Sequence, residues 1–522
     1  MVVNLSLYLV TDSTPAILGS RDLCHVVEEA LKGGVTIVQY RDKTSDTGVL
    51  IEIAKKLHNI TRKYNVPLII NDRVDVALAS GAEGVHLGQD DMDIRAAKEI
   101  LGNDKIIGIS ASCVEDAVKA VQEGADYLGI GTVFATPTKT NTKSIIGTAG
   151  VKTILDTLSR LDRQVATVAI GGINTTNVHR VIYQSAAPAK SLDGVAIVSA
   201  IVAAENPKAV AEKLNGLIAT PPSFAMKPLA PRNNEVEALL ADVPKVVQQV
   251  VTVHPLVHNM INYVVANFAA NVALAAGISP IMSQYGDEAK DLSVHNGALV
   301  INMGTLTSSS ISEYLKAISA YNSNGNPVVF DPVGAGATHI RRDAVKTLLA
   351  GGYFSLIKGN EREIKEVFQR SGGESQRGVD SGPSTISDNA KATLVRDLAR
   401  RERNLVLLTG PVDYLSDGNR VITIANGHEL LGRATGTGCA VGTITGAYLV
   451  ASSSDDKLLA VLAGLLMYEI AAENAAADKD RVRGPGTFLP VFLDEIYAIW
   501  EKSSKGDHSW FTGRAKIQSI NV

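Results

Sequence analysis

Eight short apolar runs recur between residues 5 and 201, each followed by a polar stretch that reads as a helix: LSLYLVTD, VTIVQYRDK, PLIINDR, GVHLGQ, IIGISAS, YLGIGTVFAT, ATVAIGGI and GVAIVSAI. They begin about 20–40 residues apart, the spacing of one strand plus one crossover helix. Between them lie amphipathic segments such as VLIEIAKKLHNITRKY and VEDAVKAVQEG, with apolar residues three and four apart. Strict strand–helix alternation demands a parallel sheet covered by helices, and eight such units predict a closed (β/α)8 TIM barrel over residues 1–218.

The remaining 304 of the 522 residues exceed what one barrel needs, so a second domain is expected. Residues 219–235, ATPPSFAMKPLAPRNNE, hold Pro221, Pro222, Pro228 and Pro231 without periodicity and read as a semi-rigid linker. From 236 to 522 the chain is again α/β, with strands expected near GALVINMG, NPVVFDPVG, FSLIKGN, NLVLLTG and RVITIANG. Fewer than eight strands and longer helices predict an open, doubly wound sheet. Residues 371–388 read as a surface loop, and no period of about 20–50 residues relates the two halves.

The composition is that of an ordinary globular protein, and a net charge of −4 with pI near 6.2 carries no footprint for nucleic acid. Small anionic ligands must therefore be gathered by local sites. Cys24, Cys113 and Cys439 are too scattered for a disulfide framework or a zinc knuckle, which suits a reducing compartment. The start, MVVNLSLYLVTD, lacks the basic region of a signal peptide and reads as a first strand. Residues 261–286 carry no charge and are long enough to cross a bilayer, but Asn262, Asn267 and Asn271 are costly in hydrocarbon. A buried helix followed by a turn at Pro280 is expected there, and no membrane association.

In a barrel, functional residues gather where strands end and βα loops begin. Strand two ends in Gln39-Tyr40-Arg41-Asp42-Lys43, strand three in Asn71-Asp72 and strand four in Gln89-Asp90-Asp91, while strand five carries Ser110. Arg41 and Lys43 share one face of an extended chain and suit the oxygens of a diphosphate. Asp72 and Asp91 suit a Mg²⁺ bridging that group; the same residues also suit a plain ion-pair network at the rim. Gly171 and Gly172 make either a tight turn or a phosphate cradle after strand seven. With Lys139 in ATPTK they suggest a pocket for two anions.

In the second half the stretch GRATGTGCA places Gly436 and Gly438 ahead of an uncharged helical segment, the arrangement of an anion hole at a helix N-terminus. Gly442 comes one residue late for a dinucleotide fingerprint, and Walker A is absent. Asp331 at an expected strand end and the nearby Glu363, in a segment that also holds Asn360, suit Mg²⁺-ATP; the plain alternative is that Asp331 caps the following turn. A helix N-terminus lowers a thiol's pKa, so Cys439 is a candidate proton acceptor or relay; a small packing residue is the plain alternative. His254 and His258 lie four apart, but Pro255 intervenes and no third ligand is evident.

The ordered motifs QYRDK, IIND, HLGQDD, ATPTK, AIGGI and IVSA give the first half a resemblance to the thiamine-phosphate synthase family. That resemblance implies that residues 39–43 (Gln39, Tyr40, Arg41, Asp42, Lys43), Asn71 and Ser110 contact a pyrimidine diphosphate. It implies Mg²⁺ on Asp72 and Asp91, a thiazole phosphate held by Thr136, Thr138, Gly172, Val198 and Ser199, and Lys139 near the diphosphate.

The second half resembles hydroxyethylthiazole kinase, of ribokinase-like fold, through PLVHNMINYVVANFAANVALAAGISPIM, GALVINMGTL, DPVGAGA, KGNEREI, RGVDSG and GTGCA. This implies Met282 and Gly436 near the thiazole, Lys358 and Thr409 at ATP, and Asp331 and Glu363 around a second Mg²⁺. Cys439 stands where related sugar kinases put an aspartate base, and Lys358 where bacterial members often have arginine. A fusion of the two resembles fungal members, which implies a cytoplasmic enzyme working on small molecules as a homo-oligomer. Two rivals are a ligand-binding regulator with dead sites, disfavoured because the acidic and basic residues are all present, and a sugar kinase joined to another phosphate-handling barrel.

Overall fold

The computed structural model describes residues 3–136, 144–227, 229–369 and 386–522. The chain forms two compact units, 1–222 and 223–522.

In the first unit the eight expected runs are the eight strands: β1 Leu7–Val10, β2 Ile37–Tyr40, β3 Leu68–Asn71, β4 Gly84–Leu87, β5 Ile106–Ala111, β6 Tyr127–Gly131, β7 Ala166–Ile170 and β8 Gly194–Ile197. All neighbours are parallel, and β8 closes on β1 with Tyr8 opposite Ala196. Alternation splits each strand's side chains between two cores. Tyr8, Val10, Ile37, Ile69, Ile106, Tyr127 and Val168 fill the barrel interior, while Leu7, Leu9, Val38, Ile70 and Val85 meet the surrounding helices. Gly108 makes room inside, since a Cβ there would fall 2.0 Å from Tyr127 Cζ. Helix starts follow the capping rule, as where Asp93 accepts the Ala96 N–H ahead of Ile94–Leu101.

The second unit is an open sheet with helices on both faces. Its strands are β9 Leu256–Met260, β10 Ser279–Ile281, β11 Ala298–Asn302, β12 Val328–Asp331, β13 Leu356–Asn360, β14 Leu405–Thr409, β15 Asp413–Ser416, β16 Val421–Ile424 and β17 Ile517–Ser519. The order is β10-β9-β11-β12-β13-β14-β15-β16-β17, parallel as far as β14 and antiparallel beyond. The five expected strands are β11 to β14 and β16, so nine strands among the described residues replace the expected number below eight. Those missed are short or carry polar residues: β9 buries His258 and Asn259, and β10 and β17 have three residues each.

The expected turn at Pro280 is instead part of β10. Proline has no N–H to give a ladder, and β10 is an edge strand with its outer side unpaired. The helix Ala266–Ala275 precedes it, as expected. The helix Lys457–Ala477 is the described helix long and apolar enough to span a membrane, and most of it is buried among the helices of its own unit.

Helices Glu235–Val253, Ala266–Ala275, Thr437–Ala451, Lys457–Ala477 and Pro485–Ser504 cover one face through Val257, Val300, Val329, Leu407 and Leu415. Helices Ser310–Ser323, His339–Gly351, Glu361–Gln369 and Asp388–Glu402 cover the other through Ile301, Phe330, Ile357 and Leu408. Because β9 leads outward to β10 before the chain returns to β11, the winding reverses between β9 and β11. Crevices at such reversals, beyond the carboxyl ends of the strands, are where open α/β sheets hold ligands.

Candidate active sites

At the carboxyl mouth of the barrel, the end of β1 organises the end of β2. Buried Thr11 accepts the Arg41 N–H through Oγ1 at 2.9 Å, and buried Asp12 accepts Arg41 Nη1 at 3.1 Å. Gln39 donates to Asn71 Oδ1 at 3.4 Å across β2 and β3. Asp42 is occupied by its own turn, accepting from the N–H and hydroxyl groups of Thr44 and Ser45 at 2.8–3.1 Å. Burial opposes its charge, but these donors hold the carboxyl below the usual range. Burial, and then the Asp42 charge, pushes the Tyr40 phenol up.

Lys43 Nζ lies 3.0 Å from Asp72 Oδ2. Asp72 holds a left-handed conformation with φ of 61°, its N–H bonded to His86 O at 2.9 Å. Asp91 accepts the Gly88 N–H at 2.7 Å, and its carboxyl is within hydrogen-bonding reach of Asp72. Burial, and then the neighbouring Asp72, pushes the Asp91 carboxyl up. The two facing carboxyls offer hard oxygen donors, and the Lys43 ammonium beside Asp72 suits an anionic ligand. No group of three or more His, Cys, Asp and Glu side chains assembles among the described residues, so a Mg²⁺ here would complete its shell with water and phosphate oxygens, as that ion prefers.

Ser110 belongs to a buried chain: His86 Nε2 is 3.0 Å from Ser110 Oγ, His86 Nδ1 2.9 Å from Tyr127 OH, and Tyr127 OH 2.6 Å from Tyr8 OH. Across the mouth, Gly172 has φ of 66°, and a Cβ there would fall 2.7 Å from Ala135 O. Glycine is required on both counts. Val198 caps the short helix Ser199–Val202, and Thr136 is half-buried at the last described position of its loop. Thr138 and Lys139 lie outside the described residues, as does most of 371–388.

In the second unit Asn302 at the end of β11, Asp331 at the end of β12 and Lys358 in β13 form one polar row beside the N-terminus of the helix Thr437–Ala451. Asn302 Nδ2 donates to Asp331 Oδ2 at 2.6 Å, and Asn302 Oδ1 takes the Gly304 N–H at 2.9 Å and Asn262 Nδ2 at 3.0 Å. Lys358 Nζ reaches Asp331 Oδ2 at 2.9 Å and Gly438 O at 2.8 Å. Burial opposes the Lys358 charge, but Asp331 holds the ammonium protonated. Asp331 Oδ1 is enclosed and has no hydrogen-bond partner, a free hard donor that fits a divalent ion.

Glu363 accepts the Gly334 N–H at 2.8 Å and the Asn360 N–H at 2.9 Å, while Asn360 Oδ1 accepts from Arg362 and Glu363. Asn360 and Glu363 thus cap the helix Glu361–Gln369 reciprocally. Burial, and then the Asp331 charge, raises the Glu363 carboxyl to about 7. Thr409 ends β14 opposite Asn360.

Gly436 has φ of 96°, and a Cβ there would fall 2.9 Å from Val265 Cγ1, beside Phe268. The following turn is pinned by Tyr468 OH donating to Thr437 O at 2.8 Å. Met282, just past β10, packs on the same core. Cys439 Sγ lies 3.6 Å from Asn262 Nδ2. Its thiol is pushed up to about 11, first by burial and then by Asp331. This reverses the lowering expected at a helix N-terminus, because a thiolate would be both desolvated and set beside a carboxylate. His258 is buried with Nε2 3.0 Å from Ser283 O, while His254 is exposed with φ of 48°.

Asp12 and Asn302 end apolar runs just as the noted residues do, so the same strand-end reasoning reaches them. Tyr8, His86 and Tyr127 lie within strands, and nothing in sequence separates them from packing residues.

A family model described as the hydroxyethylthiazole kinase family matches residues 247–502, and one described as thiamine monophosphate synthase matches 7–201. A probable thiamine biosynthetic bifunctional enzyme of Schizosaccharomyces pombe is 43% identical over 522 residues, covering 99% of each chain. The thiamine biosynthetic bifunctional enzyme of Saccharomyces cerevisiae is 38% identical over 534 residues, covering 96% of each. A thiamine-phosphate synthase of Clostridium novyi is 48% identical over 202 residues, 39% of this chain and 93% of that one.

Proposed function

The chain belongs to the family of bifunctional thiamine biosynthetic enzymes, with a thiamine-phosphate synthase domain followed by a hydroxyethylthiazole kinase domain, and from that premise we propose how its residues divide the work. The second domain moves the γ-phosphoryl group of ATP to the alcohol of hydroxyethylthiazole. The first joins the resulting thiazole phosphate to the pyrimidine methyl diphosphate and releases pyrophosphate. Residues 219–235 connect the two.

In the barrel, Gln39, Asn71 and Ser110 orient the pyrimidine at the interior wall, and Arg41 and Lys43 face its diphosphate. Asp12 fixes the Arg41 guanidinium and Asp42 fixes the loop that carries Lys43. Gly172, Val198 and Ser199, with Thr136, Thr138 and Lys139, take the thiazole phosphate. Leaving-group departure ahead of attack by the thiazole nitrogen asks the protein for charge stabilisation and no nucleophile of its own. The facing carboxyls of Asp72 and Asp91 carry this reading.

In the kinase domain Met282 and Gly436 bound the thiazole, while Thr409 and Lys358 serve the nucleotide. Asp331 and Glu363 would hold a Mg²⁺, as Asp72 and Asp91 would in the barrel, and such an ion would supply charge neutralisation for phosphate oxygens. Cys439, protonated at neutral pH, packs beside the alcohol, and N–H groups of the turn 436–439 receive the phosphoryl group.

Exposed Tyr263, Val264 and Leu274 beside this pocket support a homo-oligomer in which a second copy covers them. Three free cysteines and the modest net charge support a cytoplasmic enzyme that binds neither membrane nor nucleic acid. Incubation with ATP, Mg²⁺, hydroxyethylthiazole and the pyrimidine diphosphate should yield thiamine phosphate; supplying thiazole phosphate without ATP tests the barrel alone. Absence of product in both would refute the assignment.

A further inference from the structure

Between β14 and β15 the chain turns through Gly410, Pro411 and Val412, and Asp413 Oδ1 closes the turn by accepting the Gly410 N–H at 2.8 Å. On the sheet face that carries Lys358, the Asp413 carboxyl meets that of Glu469 from the helix Lys457–Ala477, within hydrogen-bonding reach. Each residue is only 6% exposed, and Glu469 Oε2 is enclosed without a partner.

Among the described residues, the cations named by these contacts are already engaged. Lys358 of β13 is bound by Asp331. Glu473, one turn along the same helix, is paired with Arg514 and Lys516. Tyr468 and, from the helix Thr437–Ala451, Cys439 add no positive charge. Gly427 lies against the Glu469 stem, and the His428 beside it accepts the Leu430 N–H. Two buried carboxyls in contact cannot both ionise cheaply, so such a pair retains one proton between them. Burial raises the Asp413 carboxyl to about 6 and Glu469 well above the ordinary range.

We propose that Asp413 and Glu469 are positioning residues for the nucleotide turn: a proton shared between their carboxyls keeps Asp413 on the Gly410 N–H, and its loss drives the side chains apart and loosens the turn. This rests on the assignment of Thr409, the neighbour of Gly410, to the nucleotide. The sign follows: rising pH removes the proton, so ATP is held less well on the alkaline side.

The test measures KM for ATP and kcat of the full-length protein from pH 6 to 9, beside Glu469→Gln and Asp413→Asn. Each variant keeps an amide donor in the pair at every pH. The wild-type KM for ATP should rise about fivefold from pH 6 to 9 relative to the variants, with kcat little changed. Any titration of ATP itself is common to all three. Infrared difference spectra of wild type against Glu469→Gln at pH 7.5 should show a buried protonated carboxyl in the wild type only. Parallel KM profiles overturn the proposal, as does an absent band. If the wild type itself does not phosphorylate the thiazole, it is the kinase assignment that fails, and the band still decides whether the proton is shared. Should Glu469→Gln not fold, Asp413→Asn carries both measurements.

Discussion

The ammonium of Lys358 stands 2.9 Å from Asp331 Oδ2, with both side chains almost fully enclosed. The lysine proposed above to serve the nucleotide also neutralises the Asp331 carboxylate, and it ties the first turn of the helix Thr437–Ala451 to β12 and β13.

Lys358→Met should leave Asp331 buried and uncompensated, costing about 3–5 kcal/mol in the stability of the second domain. Urea unfolding followed by a probe in that domain measures it. Lys358→Arg should recover most of the loss, and a Met variant as stable as the wild type would show that the pair contributes nothing.

Cys439→Ser should keep kinase kcat within about threefold, since phosphoryl transfer depends chiefly on positioning and electrostatics. A thiol held near pKa 11 is protonated at pH 7 and gains thiolate only as pH rises. Alkylation of Cys439, followed by peptide mass spectrometry, should therefore speed up about tenfold per pH unit between 7 and 10. A rate that levels off below pH 8 would restore the thiolate as a base.

Asp72→Asn and Asp91→Asn should each reduce thiamine phosphate formation from supplied thiazole phosphate by about 100-fold or more, by removing a carboxylate proposed to hold Mg²⁺. The ATP-dependent phosphorylation of the thiazole should be unchanged, which separates a local defect from general damage. Added Mg²⁺ should partly rescue the variants if the lost carboxylate served that ion.

Gly436→Ala must accept a left-handed backbone and press a methyl against Val265. The expected result is a rise of about tenfold or more in KM for the thiazole, together with a loss of about 1–3 kcal/mol in stability. Gly432→Ala, where an added Cβ meets nothing within 4 Å, should behave as wild type.

The barrel was legible because its evidence is periodic. All eight strands are apolar runs buried on two faces, and in such a barrel strand ends point toward one mouth, so Arg41, Lys43, Asp72 and Asp91 could be grouped before any contact was known. The second sheet was legible at β11 to β14 and at β16. β9 carries His258 and Asn259 in a strand interior, and β10 uses a proline that an edge alone tolerates; both depend on neighbours that sequence periodicity does not contain.

The sequence by itself determined the strand and helix order of the barrel, the two-domain plan and the family, because apolar period and ordered motifs are local properties of the chain. Only the tertiary structure decided the ionisation of the groups those motifs carry. It raised Cys439 where the helix terminus argued for lowering, set Lys358 against Asp331, and brought Asp413 to Glu469 across more than fifty residues. A pKa reports burial and the nearest charge, and both arise when distant segments close on one another, as they do around Asp331.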